Sequence, residues 1–219
     1  MLKKAKAFLS FLIVLVAFTA CTDEQSSIKP GYSGASGELM FICSDATWLT
    51  ISDSVASWFQ NTYDGLPQPE ASYRISHFEE SEVNTLLERH RNIISIRFSD
   101  KEQPSLKLYK SYKSKDQIYF DLVSKNSAEA LELLAKNQAV INKTLKTEER
   151  LRYGRKIKLH PWEDGKLWLK KNLKIDLDLP KGFEFISQDS NHVWFKRERQ
   201  KSLSGTKHFI EENIVVYKT

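Results

Sequence analysis

Cys21 is the residue whose position in the sequence points most directly to a chemical role. Lys3, Lys4 and Lys6 precede residues 7–20, a run without a charged side chain, and Cys21 follows that run directly. The run is shorter than the about 20 apolar residues that a helix needs to cross a bilayer. A basic start followed by a short apolar segment is instead typical of an export signal. A signal-anchor helix remains the alternative interpretation.

The three residues before Cys21, which are Phe18, Thr19 and Ala20, resemble the lipobox of bacterial lipoproteins, although leucine is commoner at the position of Phe18. The resemblance implies that Cys21 takes a diacylglyceryl thioether and that cleavage then frees its amine. Membrane lipid would be a partner of the chain through acylated Cys21, and two acyl chains suffice for stable anchoring. We therefore expect a lipid-anchored protein of the cell envelope, on the periplasmic side of the outer membrane or at the cell surface.

Other residues that could do chemistry occur without a specific pattern. Asp176 and Asp178 alternate with apolar residues, so both carboxylates would lie on one strand face and could share a proton. The solvated face of a half-buried strand explains them equally well. His77 and Glu80 are three residues apart on an expected helix, but no further metal-ligand pair and no cysteine cluster accompanies them. We expect no metal site and no cofactor, and the catalytic residues, if any, are unknown.

Residues 107–115 combine lysines with Tyr109 and Tyr112, a composition found in sites for single-stranded nucleic acid. Two observations argue against that partner. Removal of the three lysines in the signal lowers the formal charge from +5 to +2, and export separates the chain from nucleic acid. We expect no nucleic-acid partner, and an acidic lipid or polysaccharide is the alternative for this stretch.

The spacing of apolar residues predicts an α+β fold. A mixed or antiparallel sheet packed by two or three amphipathic helices would be followed by a helix plus an antiparallel meander. Strands are expected at residues 38–43, 72–76, 92–98, 106–112, 117–123, 173–179, 183–187, 192–197 and 208–217. Helices are expected from Ser44 to about Asn61, from Ser76 to about His90, from Asn126 to Gly154 and from Pro161 to Leu169.

The same pattern divides the chain into four parts. Residues 1–20 are the signal peptide, 21–37 a flexible tether rich in glycine and serine, 38–156 an α+β domain, and 157–219 a helix plus β-meander that packs on or continues that domain. Cys43 has no partner within the chain once Cys21 is lipidated. Because it ends an apolar run, we expect it to be buried in a strand and not to act as a nucleophile.

Several short segments resemble an uncharacterised lipoprotein family of the Bacteroidota, domain of unknown function number 4837; they lie at residues 34–38, 66–70, 91–94, 179–182 and 193–195. That family has no assigned activity, so the resemblance transfers no catalytic residue. Its members are longer, which implies a missing C-terminal part here and an unpaired or edge strand at residues 214–217. Asp23 and Glu24 are similar to signals for surface export in that phylum, and an ordinary linker explains them equally well.

These observations favour a binding or structural module of unknown activity over an enzyme, with an envelope protein or glycan as its partner. Surface-clustered tryptophans would support a sugar or peptide site; the five tryptophans are Trp48, Trp58, Trp162, Trp168 and Trp194. The alternative is a hydrolase that acts on an envelope polymer. That activity would need two carboxylates from different segments, about 5–9 Å apart in a cleft.

Overall fold

The computed structural model describes residues 29–62, 70–203 and 205–218 of the 219-residue chain. Cys21, the signal predicted over residues 1–20, the first part of the tether and the family-like segment at residues 66–69 lie outside the described residues. Lipidation at Cys21 therefore stays a prediction.

A five-stranded mixed sheet with two helices forms the first part of the described chain. Its elements are β1 (Glu38–Ile42), α1 (Asp45–Phe59), β2 (Arg74–Phe78), β3 (Asn92–Phe98), β4 (Ser105–Lys110), β5 (Ile118–Ser124) and α2 (Ser127–Leu159). The strand order is β2-β1-β3-β5-β4, in which only β4 is antiparallel to its neighbour. The chain leaves β1 for β2 on one side and returns to β3 on the other, so the strand order reverses beside β1.

Both helices pack on the same face of this sheet. Successive side chains of a strand point to opposite faces, so alternate residues of β1, β3 and β5 enter one core with α1 and α2. Ser44 caps α1 by accepting a hydrogen bond from the amide of Thr47, and Asn126 caps α2 by accepting one from Glu129. The fully buried members of this core include Leu39, Phe41, Ile51, Val55, Ile94, Leu122, Leu134 and Ile141.

The opposite face of the sheet is only half covered. Met40, Ile42 and Ile93 are buried beneath the segment that joins β2 to β3. Farther along the same face, Ser95 on β3 and Asp121 on β5 lie opposite each other in the register and are not buried. This uncovered half is where the candidate site described below lies.

The helix predicted to begin at Ser76 is wrong. Ser76 belongs to β2, and two short 3₁₀ turns follow, Glu80–Glu82 and Leu87–Arg89. Between the turns, the Asn84 side chain accepts hydrogen bonds from the amides of Leu86 and Leu87, 3.0 and 3.1 Å away. Such a local side-chain acceptor offers the backbone an alternative to helix formation, and so the periodic apolar residues do not produce a helix.

Residues 31–37, which the sequence places in the flexible tether, pack against the folded part instead. Ser33 forms a parallel β-bridge with His90. Gly34 has a φ of 87°, and a Cβ atom there would lie 2.5 Å from His90 Nε2. Only glycine fits this backbone conformation and this close approach.

A second, antiparallel sheet with its own small core follows. It comprises α3 (Glu163–Asn172), β6 (Glu184–Gln188), β7 (His192–Leu203) and β8 (Thr206–Tyr217), with strand order β6-β7-β8. Leu169, Phe183, Val193 and Phe195 are buried together. The predicted α+β class, with a final helix and antiparallel meander, is thus confirmed, and β8 is an edge strand paired only with β7 among the described strands.

Two further elements differ from the predictions. The helix α2, expected to end at Gly154, continues to Leu159, and Arg155 beyond Gly154 pairs with Glu148 of the same helix and with Asp116. The strand expected at residues 173–179 is wrong: the segment is irregular, and Lys174 has a φ of 61°. Whether residues 157–219 form a separate domain stays a prediction.

Arg152 of α2 ties the helix to the amino ends of the parallel strands. Its guanidinium donates to the carbonyls of Arg91 (2.8 Å) and Asp116 (2.6 Å), to Asn92 Oδ1 (2.9 Å) and to Glu149 Oε1 (2.7 Å). These partners lie just before β3, at its first residue, just before β5 and on α2. One buried side chain therefore fixes three elements relative to one another.

Glu149 completes this arrangement, which we call the Arg152 clamp: Arg91, Asn92, Glu149 and Arg152. Arg91 Nη2 donates to Glu149 Oε2 at 2.6 Å, and Asn92 Nδ2 donates both to Glu149 Oε1 at 3.0 Å and to the carbonyl of Glu38 at 2.8 Å. The last contact adds the start of β1. Apart from Arg91 Nε, which has no hydrogen-bond partner in the described part of the chain, the fully buried polar atoms of these side chains are paired with one another or with carbonyls. Because an unpaired buried charge is costly, the four side chains depend on one another.

We predict that Arg152→Met lowers the free energy of unfolding by about 3–5 kcal/mol, because it leaves the carbonyl of Asp116 and Asn92 Oδ1 without their donor and removes the nearest positive charge from Glu149 Oε1. Urea unfolding followed by circular dichroism measures the change. Arg150→Met, at an exposed position two residues away on α2, is the matched control and is expected to stay within about 0.5 kcal/mol of the unmodified chain. Equal stability of the two variants would contradict the role given to the clamp.

Candidate functional site

A cavity of about 730 Å³ lies on the uncovered half of the first sheet. It reaches the carboxyl end of β1 at Ile42 and Cys43 and the carboxyl half of β3 at Ser95 to Phe98. These two strands flank the position at which the strand order reverses. In open α/β sheets the crevice at such a switch point is the usual place for a ligand, so topology and cavity coincide.

Three tyrosines form one wall of the cavity. The ring centre of Tyr112 lies 5.3 Å from that of Tyr109 and 5.0 Å from that of Tyr119, and the outer two are 6.4 Å apart. Tyr109 and Tyr119 face each other across β4 and β5. Burial, followed by the negative charges of Asp121 and Glu80 and by Tyr112, raises the pKa of Tyr119, although a hydrogen bond from Ser95 opposes the shift. Its hydroxyl is protonated at neutral pH and can donate to a ligand.

A charged cluster forms the floor beside the tyrosines. Arg97 Nε lies 3.2 Å from Asp121 Oδ1, and Arg97 Nη2 lies 3.0 Å from Glu102 Oε2 and 3.3 Å from Asp121 Oδ2. Arg97 Nη1 donates to the other oxygen of Glu102. The Glu102 and Asp121 contacts raise the pKa of Arg97 and hold it charged. The guanidinium is thus fixed by two carboxylates at the edge of the cavity.

The amino end of α1 also opens on the cavity through Ser44 and Thr47. A helix start commonly binds anions, because its first amides have no partner within the helix. Here Glu79 Oε1 accepts the amide of Asp45 at 3.1 Å, and Ser44 Oγ accepts that of Thr47 at 3.3 Å. The chain's own carboxylate thus occupies part of the position that a phosphate would take.

Cys43 stands between the cavity and the first core and is only 3% exposed. Burial, and then the negative charges of Asp45 and Glu79, raise the pKa of its thiol to about 12. A thiol that stays protonated is a poor nucleophile. The expected burial of Cys43 is confirmed, and its carbonyl accepts a hydrogen bond from His77 Nε2 at 2.9 Å.

His77 and Glu80, which the sequence offers as a possible pair of ligands on one helix face, do not share a helix. His77 lies on β2, not on a helix with Glu80, and its ring stacks on Trp48 with centroids 4.9 Å apart. Within residues 29–62, 70–203 and 205–218, no group of three potential ligands is suitably placed for a metal ion. A helical i, i+3 spacing was assumed for His77 and Glu80, and that assumption fails with the helix.

The proton-sharing pair Asp176 and Asp178 is also contradicted. Lys166 Nζ lies 2.5 Å from Asp178 Oδ1 and 3.6 Å from Asp176 Oδ1. The hydrogen bond from Lys166 lowers the pKa of Asp178, so this carboxyl is ionised at neutral pH. A carboxylate held by a lysine cannot share a proton with its neighbour.

The tryptophans do not form one surface cluster. Trp48 and Trp58 pack on the first core, Trp162 and Trp168 on the second, and all four are partly buried. Trp194 is 37% exposed, and its indole Nε1 donates to Asn213 at 2.9 Å. The aromatic wall of the candidate site is therefore made of tyrosines.

Sequence reasoning found only part of the site. Tyr109 and Tyr112 were singled out as aromatic residues among lysines, and both line the cavity. Arg97, Asp121 and Tyr119 were missed. The sequence does hint at these three residues. Each is a polar or hydroxyl-bearing side chain within a mostly apolar strand, and the alternation of side chains along a strand places all three on the same face of the sheet. Strand pairing was needed to bring them together.

Residues 33–158 match the model of a family described as a domain of unknown function, DUF8532. No curated protein and no solved structure matches the chain. The expectation of a domain of unknown function is thus confirmed, whereas the number 4837 and an origin among Bacteroidota lipoproteins are not. All residues that line the cavity lie within the matched segment.

None of the helices in the described part of the chain is both long enough and apolar enough to span a bilayer. The lipid anchor predicted at Cys21 lies outside that part.

We predict that Cys43 of the native protein resists alkylation at pH 8. With a thiol pKa of about 12, only about one molecule in ten thousand carries the thiolate at that pH. Iodoacetamide labelling followed by peptide mass spectrometry should show almost no modification of Cys43 in the native chain and complete modification after unfolding in urea. Rapid labelling of the native chain would contradict the burial described for this residue.

Proposed function

The chain belongs to the DUF8532 family of domains of unknown function, and we propose that it is a lipid-anchored binding module of the cell envelope. The observation that carries the proposal is the cavity with its tyrosine wall at the switch point of the first sheet. Its volume of about 730 Å³ falls within the range of small-molecule sites, roughly 300–1,000 Å³. The cavity is the binding site of this proposal.

An envelope glycan is the ligand class that suits this lining best. A sugar ring presents an apolar C–H face, which packs on an aromatic side chain, and a rim of hydroxyls, which need donors and acceptors. Tyr109 and Tyr112 are 38% and 45% exposed and offer such aromatic faces. Ser95, Arg97 and Asp121 stand beside them as polar partners.

The anchor belongs to the same proposal. Lys3, Lys4, Lys6 and the apolar run that ends before Cys21 support export and lipidation, and the family-like segments support an origin among Bacteroidota lipoproteins. A lipid-anchored domain needs no membrane-contacting surface of its own, because acyl chains supply the affinity. The folded part is then free to present its cavity to ligands in the envelope.

The arrangement of the carboxylates favours binding over hydrolysis. Glu79, Glu80 and Asp121 come from two segments and line one cavity, as a glycoside hydrolase requires. However, Asp121 is held by Arg97, and Glu79 accepts the amide of Asp45. Only Glu80 has no hydrogen-bond partner for its side chain among the described residues. One unengaged carboxylate does not make the acid–base pair that hydrolysis needs.

Lipid anchoring predicts a specific change in cell fractionation. In Cys21→Ser, no thioether can form, so the protein should leave the membrane fraction, and the diacylglyceryl mass should be absent from its first peptide. Cys43→Ser is the matched control, because it alters the only other cysteine and should leave fractionation unchanged. An unmodified residue at position 21 in the purified native protein would overturn the anchor.

If the cavity binds glycan, a variant that lacks one of its tyrosines should retain less envelope glycan in a pull-down. Tyr112→Ala removes the central ring of the aromatic wall and should lower recovery of envelope glycan by at least about fivefold, given about 1 kcal/mol or more for one stacking contact. Tyr153→Ala is the matched control, since Tyr153 is 58% exposed and lies on α2, away from the lining. Pull-down from native envelope with quantified sugar content is the measurement. Equal recovery by both variants would argue against the cavity.

A further inference from the structure

The charge of the cavity lining restricts which ligand the proposed site can take. Three carboxylates, those of Glu79, Glu80 and Asp121, face a single cation, Arg97. A cleft lined mostly by one sign of charge concentrates ligands of the opposite sign. The lining therefore favours cationic over anionic ligands, unless Arg97 or the helix start can hold an anion.

Four of the five N–H donors of Arg97 are already engaged within the chain. Its Nε and Nη2 atoms bind Asp121, and Nη1 and Nη2 bind the two oxygens of Glu102. These contacts engage the guanidinium from both sides, in the bidentate geometry that makes arginine–carboxylate pairs strong. An incoming phosphate or carboxylate could bind Arg97 through two N–H groups only by displacing Asp121 or Glu102.

The start of α1 is likewise engaged. Glu79 takes the amide of Asp45, and the Ser44 hydroxyl takes that of Thr47. The turn between β1 and α1 contains no glycine, whereas phosphate-binding turns use glycine to let the backbone approach the anion. Most of the donors that could make the cavity an anion site are thus already paired within the chain.

The tyrosine wall supplies the complementary attraction for a cation. The negative face of an aromatic ring attracts ammonium groups, and several aromatic side chains together form the known cages for such ligands. The structure already shows this interaction, because the ammonium of Lys113 lies 5.3 Å from the ring centre of Tyr112. Lys113 is exposed, so a ligand cation can compete for the same ring.

We propose that the cavity binds the ammonium group of its ligand, between the Tyr109, Tyr112 and Tyr119 wall and the carboxylate of Glu80. This inference rests on the proposed binding function and adds the ligand's charge to it. The raised pKa of Tyr119, to which the charges of Asp121 and Glu80 contribute after burial, agrees with a negative field in the cavity. Amino sugars and peptide amines are the two sources of this group that an envelope polymer offers.

Calorimetry on the full-length protein in detergent tests the proposal with pairs of probes of which one member carries an ammonium group and the other is neutral. Choline is compared with 3,3-dimethylbutanol, its neutral counterpart of similar shape, and is expected to bind about tenfold or more tightly. Glucosamine against N-acetylglucosamine tests the sugar source, and Nα-acetyl-lysine amide against its neutral Nα,Nε-diacetyl form tests the peptide source. Glucuronic acid tests an anion and should bind most weakly.

Three variants separate the proposed contacts from a general structural effect. Glu80→Gln should weaken choline binding several-fold and leave 3,3-dimethylbutanol unaffected, with Glu132→Gln on the opposite face as the matched control. Tyr112→Leu should weaken choline binding, whereas Tyr112→Phe, which keeps the ring, should preserve most of it. Lys113→Gln should strengthen choline binding, because it removes the competing ammonium. Thermal unfolding of each variant checks that it is folded.

The outcomes distinguish failure of this inference from failure of the proposed function. Equal or tighter binding of the neutral or anionic member of each pair, with sensitivity to Tyr112→Leu, would overturn the ammonium site and keep the cavity as a binding site. No binding by any probe, together with unchanged glycan recovery by Tyr112→Ala, would overturn both. A choline preference that Glu80→Gln leaves intact would remove Glu80 from the site and overturn the proposal as stated.

Discussion

The buried clamp around Arg152 is the interaction on which the first sheet depends. Parallel strands do not adjoin through hairpins, so the starts of β1, β3 and β5 come from distant points of the sequence. Arg152, Glu149 and Asn92 bring these three starts together on α2 through side-chain and carbonyl contacts of 2.6–3.0 Å. The single ring of Tyr32 adds cation–π contacts to both guanidinium groups, since its centre lies 4.8 Å from Arg91 Cζ and 5.2 Å from Arg152 Cζ.

This clamp also explains why the candidate site lies where it does. The amino ends of the parallel strands are taken up by polar contacts to α2, and both helices cover one face of the sheet. The segment between β2 and β3 covers only part of the other face. What remains accessible is the carboxyl side of β1 and β3 on that second face, where the tyrosines, Arg97 and Asp121 meet. The cavity is thus a consequence of the topology and of what the helices leave uncovered.

The sequence predicted the positions of individual helices and strands better than it predicted which of them lie next to each other in the fold. Strong local signals placed β1, β3, β5 and the starts of both long helices, because Ser44 and Asn126 are efficient caps and the apolar spacing is regular. The helix expected at residues 76–90 fails because Asn84 captures local amides. The Arg97–Asp121 pair depends on the register between β3 and β5, and the clamp on residues as far apart as Glu38 and Arg152. A local sequence pattern cannot show that residues so far apart in the chain are in contact.

The proposed function rests on which polar groups of the cavity already have partners within the chain. The side chains of Arg97, Asp121 and Glu79 all form hydrogen bonds with other groups of the chain. These contacts disfavour both hydrolysis and the binding of an anion. Aromatic faces and Glu80 remain available. NMR of the full-length protein during titration with glucosamine tests this account most directly. It predicts shift changes concentrated at Tyr112, Tyr119, Ser95 and Glu80; changes confined to β7 and β8, or none at all, would contradict it.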